Sequence, residues 1–224
     1  FVDHLRIALP RNYAAAPEEQ KLTEQESILL ITEMISRTKR RKLDNGNIML
    51  LWGYLSVAVA TLVWVLLACT HNAVWNWLWL LIWIVGGTFT PIMARKQRRE
   101  EGASTYVDNI SNGLWSMIGF MAIISTFICL AFFFFGGKCS WSTMIVFALW
   151  GVGFAEAVQG IVVKMKALVI GGCVGIVSGL TVLAAIAGNV PLYIDWVMPL
   201  FIVSFICMMI IPGHIINAKA RKAK

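Results

Sequence analysis

Charged side chains are scarce in this sequence: they make up 14% of its 224 residues, whereas soluble domains carry about 25%. Hydrophobic residues account for 58% of the chain. They fall in blocks long enough to cross a lipid bilayer, which takes about 20 residues each. The composition therefore excludes an ordinary soluble domain and predicts a membrane protein.

The signature motifs of enzymes and metal sites are also missing. The sequence contains no GxSxG, HExxH or Walker motif and no GxGxxG following a strand. Its five cysteines form no CxxC pair and no cluster with histidine at metal-ligand spacing. We therefore expect no enzyme activity, no metal and no cofactor.

Six apolar blocks alternate with short polar segments. They predict an all-α, polytopic membrane bundle over residues 48–217, with a basic tail at 218–224. The sequence Pro212-Gly213-His214 predicts a break in the last helix, because proline lacks the backbone N–H that a helix needs. The six predicted spans are 48–69, 74–94, 113–135, 142–163, 167–188 and 192–216.

Basic residues lie almost wholly on one side of these spans. Of the 19 lysines and arginines, only Lys138 falls in a loop on the other side. The positive-inside rule therefore places both termini in the cytoplasm. The basic clusters suit anionic lipid headgroups better than nucleic acid. The residues predicted to contact headgroups are Arg37, Lys39, Arg40, Arg41, Lys42, Arg95, Lys96, Arg98 and Arg99.

The region before the first span is predicted to have two parts. Residues 1–22 contain no apolar stretch like that of a signal peptide and are predicted to be a flexible segment. Residues 23–47 are predicted to form a cytoplasmic amphipathic helix, because Thr23 and Glu26 form a capping box before an apolar face. This helix lies on the inner membrane surface, acts as a docking or dimerisation element, or is a free cytosolic segment.

Glycines recur at helical spacing in the fourth and fifth predicted spans. Small residues allow two membrane helices to approach closely. We expect the glycines of the fifth span to pack against the fourth or the third span. The candidate packing glycines are Gly153, Gly160, Gly171, Gly175 and Gly179.

Glu156 is the ionisable residue predicted to lie deepest in a span, about 12 Å along the helix from Lys164. A charged residue at the middle of a span costs about 2.5–3.5 kcal/mol on insertion scales and usually faces protein or a water cavity. Together with Gln159, Glu156 is a candidate intramembrane site for a proton or cation. The alternative is a structural carboxyl that bonds a neighbouring helix or extends towards Lys164 or Lys166.

Three stretches carry a resemblance to known proteins: ISRTKRRKLDNGNIMLLWGYL (35–55), ARKQRREEGASTYVDNI (94–110) and IIPGHIINAK (210–219). Through them the chain resembles an uncharacterised family of small six-span bacterial membrane proteins. The resemblance covers most of residues 27–219. It implies a multi-pass protein of the bacterial cytoplasmic (inner) membrane, and it implies no activity and no catalytic residue.

The function that we expect first is a non-enzymatic accessory or regulatory membrane protein, acting through its basic cytoplasmic face. Its partners would be membrane lipids, with a second protein or a second copy of the chain as a further partner. The alternative is a small proton- or cation-coupled transporter or channel that uses Glu156, and a membrane enzyme is the third hypothesis. A conduit requires a polar, water-accessible route to Glu156, whereas an accessory protein is compatible with a dry bundle.

Overall fold

A computed structural model describes residues 46–101, 106–137 and 140–222. Every regular element in these ranges is helical, and the described residues contain no strand. Six of the helical segments are long and apolar enough to cross a membrane. The prediction of an all-α membrane protein with six membrane-spanning helices is therefore confirmed at this level. The predicted flexible segment at 1–22, and the predicted amphipathic helix up to residue 45, lie outside the described residues.

The six long helices are labelled here in chain order. They are α1 (Gly46–Thr70), α2 (Leu80–Glu101), α3 (Tyr106–Gly136), α4 (Trp141–Val163), α5 (Lys166–Ala187) and α6 (Ile194–Lys222). A 3-10 helix, Ala73–Trp79, leads into α2. With a rise of about 1.5 Å per residue, each helix is longer than the ~30 Å hydrocarbon layer, and its backbone groups bond within the helix as lipid requires.

The sixth helix continues where the sequence predicts a break. It passes through Pro212 and ends at Lys222. A π-helical turn, Ile206–Ile210, precedes the proline, and the N–H of Ile211 bonds the carbonyl of Ile206, five residues back. Because the π register is wider than the α register, it relieves the clash between the proline ring and the preceding turn. The third helix begins at Tyr106, seven residues before the predicted membrane span at 113–135.

Contacts between helices run in the order α2–α1–α6–α5–α4–α3. The four central helices supply the core, and α2 and α3 lie at the two ends of this series with few buried residues. The outer helices expose large apolar side chains, such as Phe135 at 94%. In a membrane this surface faces lipid, which solvates apolar side chains as well as a protein core does. Fully buried apolar side chains of the central helices include Val63, Leu149, Leu168, Val182, Phe201 and Met208.

The turn between α4 and α5 makes these two helices an antiparallel hairpin. Lys164 adopts a left-handed backbone conformation, with φ 58° and ψ 43°. The N–H of Met165 bonds the carbonyl of Gly160 at 2.8 Å, and the N–H of Lys164 bonds that of Ile161 at 3.2 Å. This double hydrogen bond is a Schellman motif, which ends one helix and lets the next begin within two residues.

Glycines bring the backbones of α4 and α5 together. A Cβ atom added to Gly153 would lie 2.9 Å from the carbonyl oxygen of Gly172, and one added to Gly160 would lie 2.7 Å from the amide nitrogen of Val169. Gly179 meets the backbone of Trp150 in the same way. The α4–α5 contact thus leaves no room for side chains at these positions.

The first glycine of the α5 ladder meets the backbone of α6, which the sequence does not predict, in addition to the Glu156 side chain of α4. A Cβ atom on Gly171 would lie 2.7 Å from the carbonyl oxygen of Cys207, which belongs to α6 and not to α4 or α3. Gly175 lies between the two neighbours, against Leu149 of α4 and Met208 of α6. The reason is geometric: with 3.6 residues per turn, each step of four residues rotates the contact by about 40° around the helix.

Lysine and arginine side chains gather at one end of the bundle, which we call the basic end. The described cations of this end are all exposed, and Arg98 and Arg99 also belong to α2. The predicted headgroup contacts Arg37, Lys39, Arg40, Arg41 and Lys42 lie outside the described residues. At the opposite end, the described part of the chain carries the exposed Asp195 and no lysine or arginine. The exposed cations of the basic end are Arg95, Lys96, Lys164, Lys166, Lys219, Arg221 and Lys222.

Candidate functional site

Glu156 lies on the buried face of α4 and is 0% exposed. Gly153 and Gly160, one turn to either side of it, let α5 approach closely and enclose the side chain. Among the residues that the structure describes, neither carboxyl oxygen has a hydrogen-bond partner. Glu156 therefore faces the bundle interior, but no neighbouring side chain satisfies it.

The carboxyl group of Glu156 lies near Gly171, the point where α5 packs on α6. A Cβ atom built on Gly171 would lie 3.2 Å from Glu156 Oε1, 2.7 Å from the carbonyl oxygen of Cys207 and 3.1 Å from Met208 Cα. The carboxyl oxygen and the Cys207 carbonyl thus converge on one glycine, where three helices meet. Cys207 belongs to the π-helical turn of α6, and such turns are frequent at functional sites.

Gln159 is not hydrogen-bonded to Glu156, although the sequence groups the two residues. Its Oε1 accepts a hydrogen bond from Trp115 Nε1 at 2.7 Å, which joins α3 to α4. Lys164 and Lys166 are exposed, so neither lysine neutralises the carboxyl group from within the bundle. The structure therefore places Gln159 at a helix contact and Glu156 alone at depth.

A small cavity of about 30 Å³ lies at the basic end, one helical turn from Glu156 along α4. Its polar lining comes from Asp108, Ser111 and Gln159, and Leu168 closes it towards the core. This volume suits about one water molecule, and the three polar side chains are enough to hold one. Glu156 is not among the residues that line it.

A larger cavity of about 360 Å³ opens at the opposite end, between α1, the 3-10 helix, α4 and α6. His71, Asn76 and Ser142 give it polar walls, while Val197 and Met198 contribute to an apolar floor. Glu156 does not line this cavity either. Both cavities therefore stop short of the buried carboxyl group.

Aromatic rings pack closely in the part of the core that adjoins the larger cavity. Phe201, one turn along α6 from its floor, is 1% exposed. It stacks on Phe205 with ring centroids 4.4 Å apart and contacts Trp79 edge-on at 5.2 Å. The next turn holds Ser204, whose hydroxyl lies 2.6 Å from the carbonyl oxygen of Leu200.

Sequence patterning does not reveal the polar pairs that join helices. The hydroxyl groups of Ser204 and Ser178 lie 2.8 Å apart between α6 and α5. At the basic end, the described part of the stretch 35–55, residues 46–55, meets the stretch 210–219 where α1 packs on α6. The two polar contacts there join Asn217 Nδ2 to Asn47 Oδ1 at 2.7 Å and Tyr54 Oη to His214 Nε2 at 2.7 Å. A polar residue at the end of an apolar run is the signal available in the sequence, and it does not identify the partner.

Within the described residues, no three side chains of His, Cys, Asp or Glu are grouped closely enough to hold a metal ion. Comparisons with protein-family models, with curated proteins and with solved structures found no match. Function is therefore inferred from the residues of this chain alone.

Proposed function

We propose that this protein is a non-enzymatic accessory or regulatory membrane protein of the bacterial inner membrane, with both termini in the cytoplasm. Its basic end binds anionic lipid headgroups. A protein partner or a second copy of the chain would act through the same cytoplasmic face, whereas nucleic acid is not expected to bind.

The observation that carries this proposal is the one-sided distribution of exposed cations. Every lysine and arginine whose side chain is described lies at the basic end, on α2, α6 and the turn between α4 and α5. Juxtamembrane cations contribute about 1 kcal/mol each near an anionic surface. Their asymmetry also supports the proposed orientation, because positive residues are retained on the cytoplasmic side.

The geometry favours an accessory role over transport or catalysis. A conduit would require a polar route to Glu156, and neither cavity reaches it. An intramembrane enzyme would require several polar side chains around one cavity at depth, whereas Glu156 has no side-chain partner among the described residues. Proton or cation flux in proteoliposomes above that of empty vesicles would favour the transport alternative instead.

The orientation is testable through the native thiol of Cys69, which is exposed at the end opposite the basic end. In intact cells, a membrane-impermeant maleimide should label the wild-type protein, and replacing both Cys69 and Cys139, which follows Lys138 in the sequence, with serine should remove that label. In this double-serine background, a cysteine introduced by Lys219→Cys should react only after the cells are opened. Labelling of Lys219→Cys in intact cells would contradict the proposed topology.

Lipid binding should appear as a difference in stability between two membranes. We expect a higher Tm in nanodiscs that contain anionic lipid than in purely zwitterionic ones. Replacing Lys164 and Lys166 with glutamine should reduce the difference in free energy of unfolding between the two membranes by about 2 kcal/mol, at about 1 kcal/mol per cation. Thermal unfolding of both forms in both nanodiscs measures this effect.

Asp195→Asn is the matched control, because Asp195 is exposed at the opposite end. It should leave the lipid dependence unchanged. Equal Tm values for the wild-type protein in the two membranes would contradict headgroup binding by the basic end.

A further inference from the structure

Two polar groups lack partners of the usual kind where α4, α5 and α6 meet at Gly171. Glu156 is the only acidic or basic side chain that is buried in the described part of the chain. Its two oxygens have no hydrogen-bond partner among these residues. The carbonyl of Cys207, which approaches the same glycine, belongs to the π-helical turn.

The backbone register explains why the Cys207 carbonyl is short of a donor. In this turn the N–H of Ile211 bonds the carbonyl of Ile206. The same register would pair the next carbonyl, that of Cys207, with residue 212. That residue is Pro212, which has no N–H to donate. A carbonyl without its backbone donor and a carboxyl group without a partner therefore approach the same glycine, Gly171.

A proton satisfies both groups at once. A protonated carboxyl carries an O–H that donates to a carbonyl oxygen, whereas an ionised carboxylate only accepts hydrogen bonds. The close packing of Gly171 against α6 leaves no space for a hydrated ion between the two groups. The proton is thus the ligand that fits this contact.

Counter-charges do not replace the proton. On α4 and α5, Lys164 and Lys166 are exposed at the basic end, and Cys173 is exposed on α5. On α6, Asp195 is exposed at the opposite end, and His214 is exposed and bonded to Tyr54. The remaining titratable groups described on α3 and α6 are Asp108, Cys129, Cys207, Lys219, Arg221 and Lys222. Asp108 lines the small cavity, Cys129 Sγ donates to the carbonyl oxygen of Ser140, Cys207 belongs to the π-helical turn, and the other three lie at the basic end.

We propose that Glu156 is a proton-binding site, and that its proton holds α4 against the π-helical turn of α6. The bound proton lets the carboxyl group donate to the Cys207 carbonyl. Release of the proton leaves a carboxylate facing a carbonyl oxygen in an apolar contact, which pushes α6 away from the α4–α5 hairpin. The site goes beyond the accessory role, because it would link helix packing to pH whatever partner the protein has.

Protons reach the site from the basic end. The cavity of about 30 Å³ at Gln159 brings a water-sized polar space to within one turn of Glu156 along α4. In the other direction, fully buried Leu149, Val182 and Phe201 separate the carboxyl group from the larger cavity. The site therefore responds to the pH on the side of the membrane that holds the basic end.

Infrared spectroscopy of the full chain in nanodiscs tests proton binding directly. The wild-type protein should show the C=O stretch of a protonated carboxylic acid at neutral pH. Glu156→Gln should lose this band, while Asp195→Asn, a carboxyl control at the opposite end, should keep it. If Glu156→Gln fails to fold, Glu156→Asp serves in its place and should shift the band. A band that is absent from the wild-type protein, or unchanged in the Glu156 variant, would overturn the proposal.

Amide hydrogen exchange tests the link to α6. When the pH is raised to mildly alkaline values, the equilibrium constant for local opening of residues 206–210 should rise on the order of tenfold, which corresponds to about 1.4 kcal/mol. The comparison is made after correction for the intrinsic pH dependence of amide exchange. In Glu156→Gln the amide donates to the carbonyl at every pH, so no increase is expected. In oriented proteoliposomes, the increase should follow a pH step on the side of the basic end. An equal increase in Glu156→Gln, or a response only to a step on the opposite side, would refute the assignment.

Discussion

Gly172→Ala is expected to lower the free energy of unfolding by about 1–3 kcal/mol, the usual cost of overpacking a close contact. A Cβ atom at this position would lie 2.5 Å from the carbonyl oxygen of Gly153 and 2.8 Å from Ala157 Cα. These atoms belong to the backbone of α4, so no side chain can rotate away to make room. Because α4 and α5 share the most extensive helix–helix contact in the described bundle, Gly172→Leu should prevent assembly of this hairpin. Unfolding in mixed detergent micelles measures both effects.

Gly119→Ala is the matched control for this substitution. Gly119 lies within α3, and an added Cβ atom would meet nothing within 4 Å. Alanine should therefore be neutral there, or stabilising by up to about 1 kcal/mol through its higher helix propensity. Equal free energies of unfolding for the two alanine variants would contradict the close packing of α4 on α5.

Gly172 also shows which part of the fold could be predicted. The turn at 164–166 is visible because two lysines interrupt two apolar runs, so the hairpin is predictable. The helix that each glycine contacts is not predictable in this way. Glycines four residues apart point in directions that differ by about 40° around the helix axis, and the positions of the neighbouring helices determine which of them each glycine contacts. Gly171 therefore meets α6 as well as the Glu156 side chain of α4, and Gly172, which lies outside the ladder of every fourth residue, also contacts the backbone of α4.

The candidate site, like the glycine contacts, is predicted from the sequence only in part. The apolar surroundings of Glu156 and the glycines beside it predict a carboxyl group that faces other helices. The group that it meets depends on a π-helical turn, whose place along α6 is set by packing as well as by Pro212. The bond of Gln159 to Trp115 joins residues 44 positions apart, a separation that local spacing does not encode.

Phe201→Ala is expected to lower the free energy of unfolding by about 2–3 kcal/mol. In soluble proteins, truncation of a buried phenylalanine costs about 3–5 kcal/mol, as a sum of lost transfer energy and a cavity term. The transfer term is small in a bilayer, because lipid tails are as apolar as the protein interior, so the cavity and the lost contacts dominate. Phe201 has much contact to lose, since it is 1% exposed and stacks on Phe205 while meeting Trp79 edge-on.

Phe135→Ala separates this packing cost from the general effect of removing a phenyl ring. Phe135 lies near the end of α3 and is 94% exposed, so its ring makes almost no contact within the described chain. Its truncation should change the free energy of unfolding by less than about 0.5 kcal/mol, as is usual for surface substitutions. Both variants are compared by thermal unfolding in the same nanodisc. Equal losses would mean that the aromatic stack at Phe201 does not hold α6 against the rest of the core. A large loss at Phe201 alone would show that this stack holds α6 against the rest of the core.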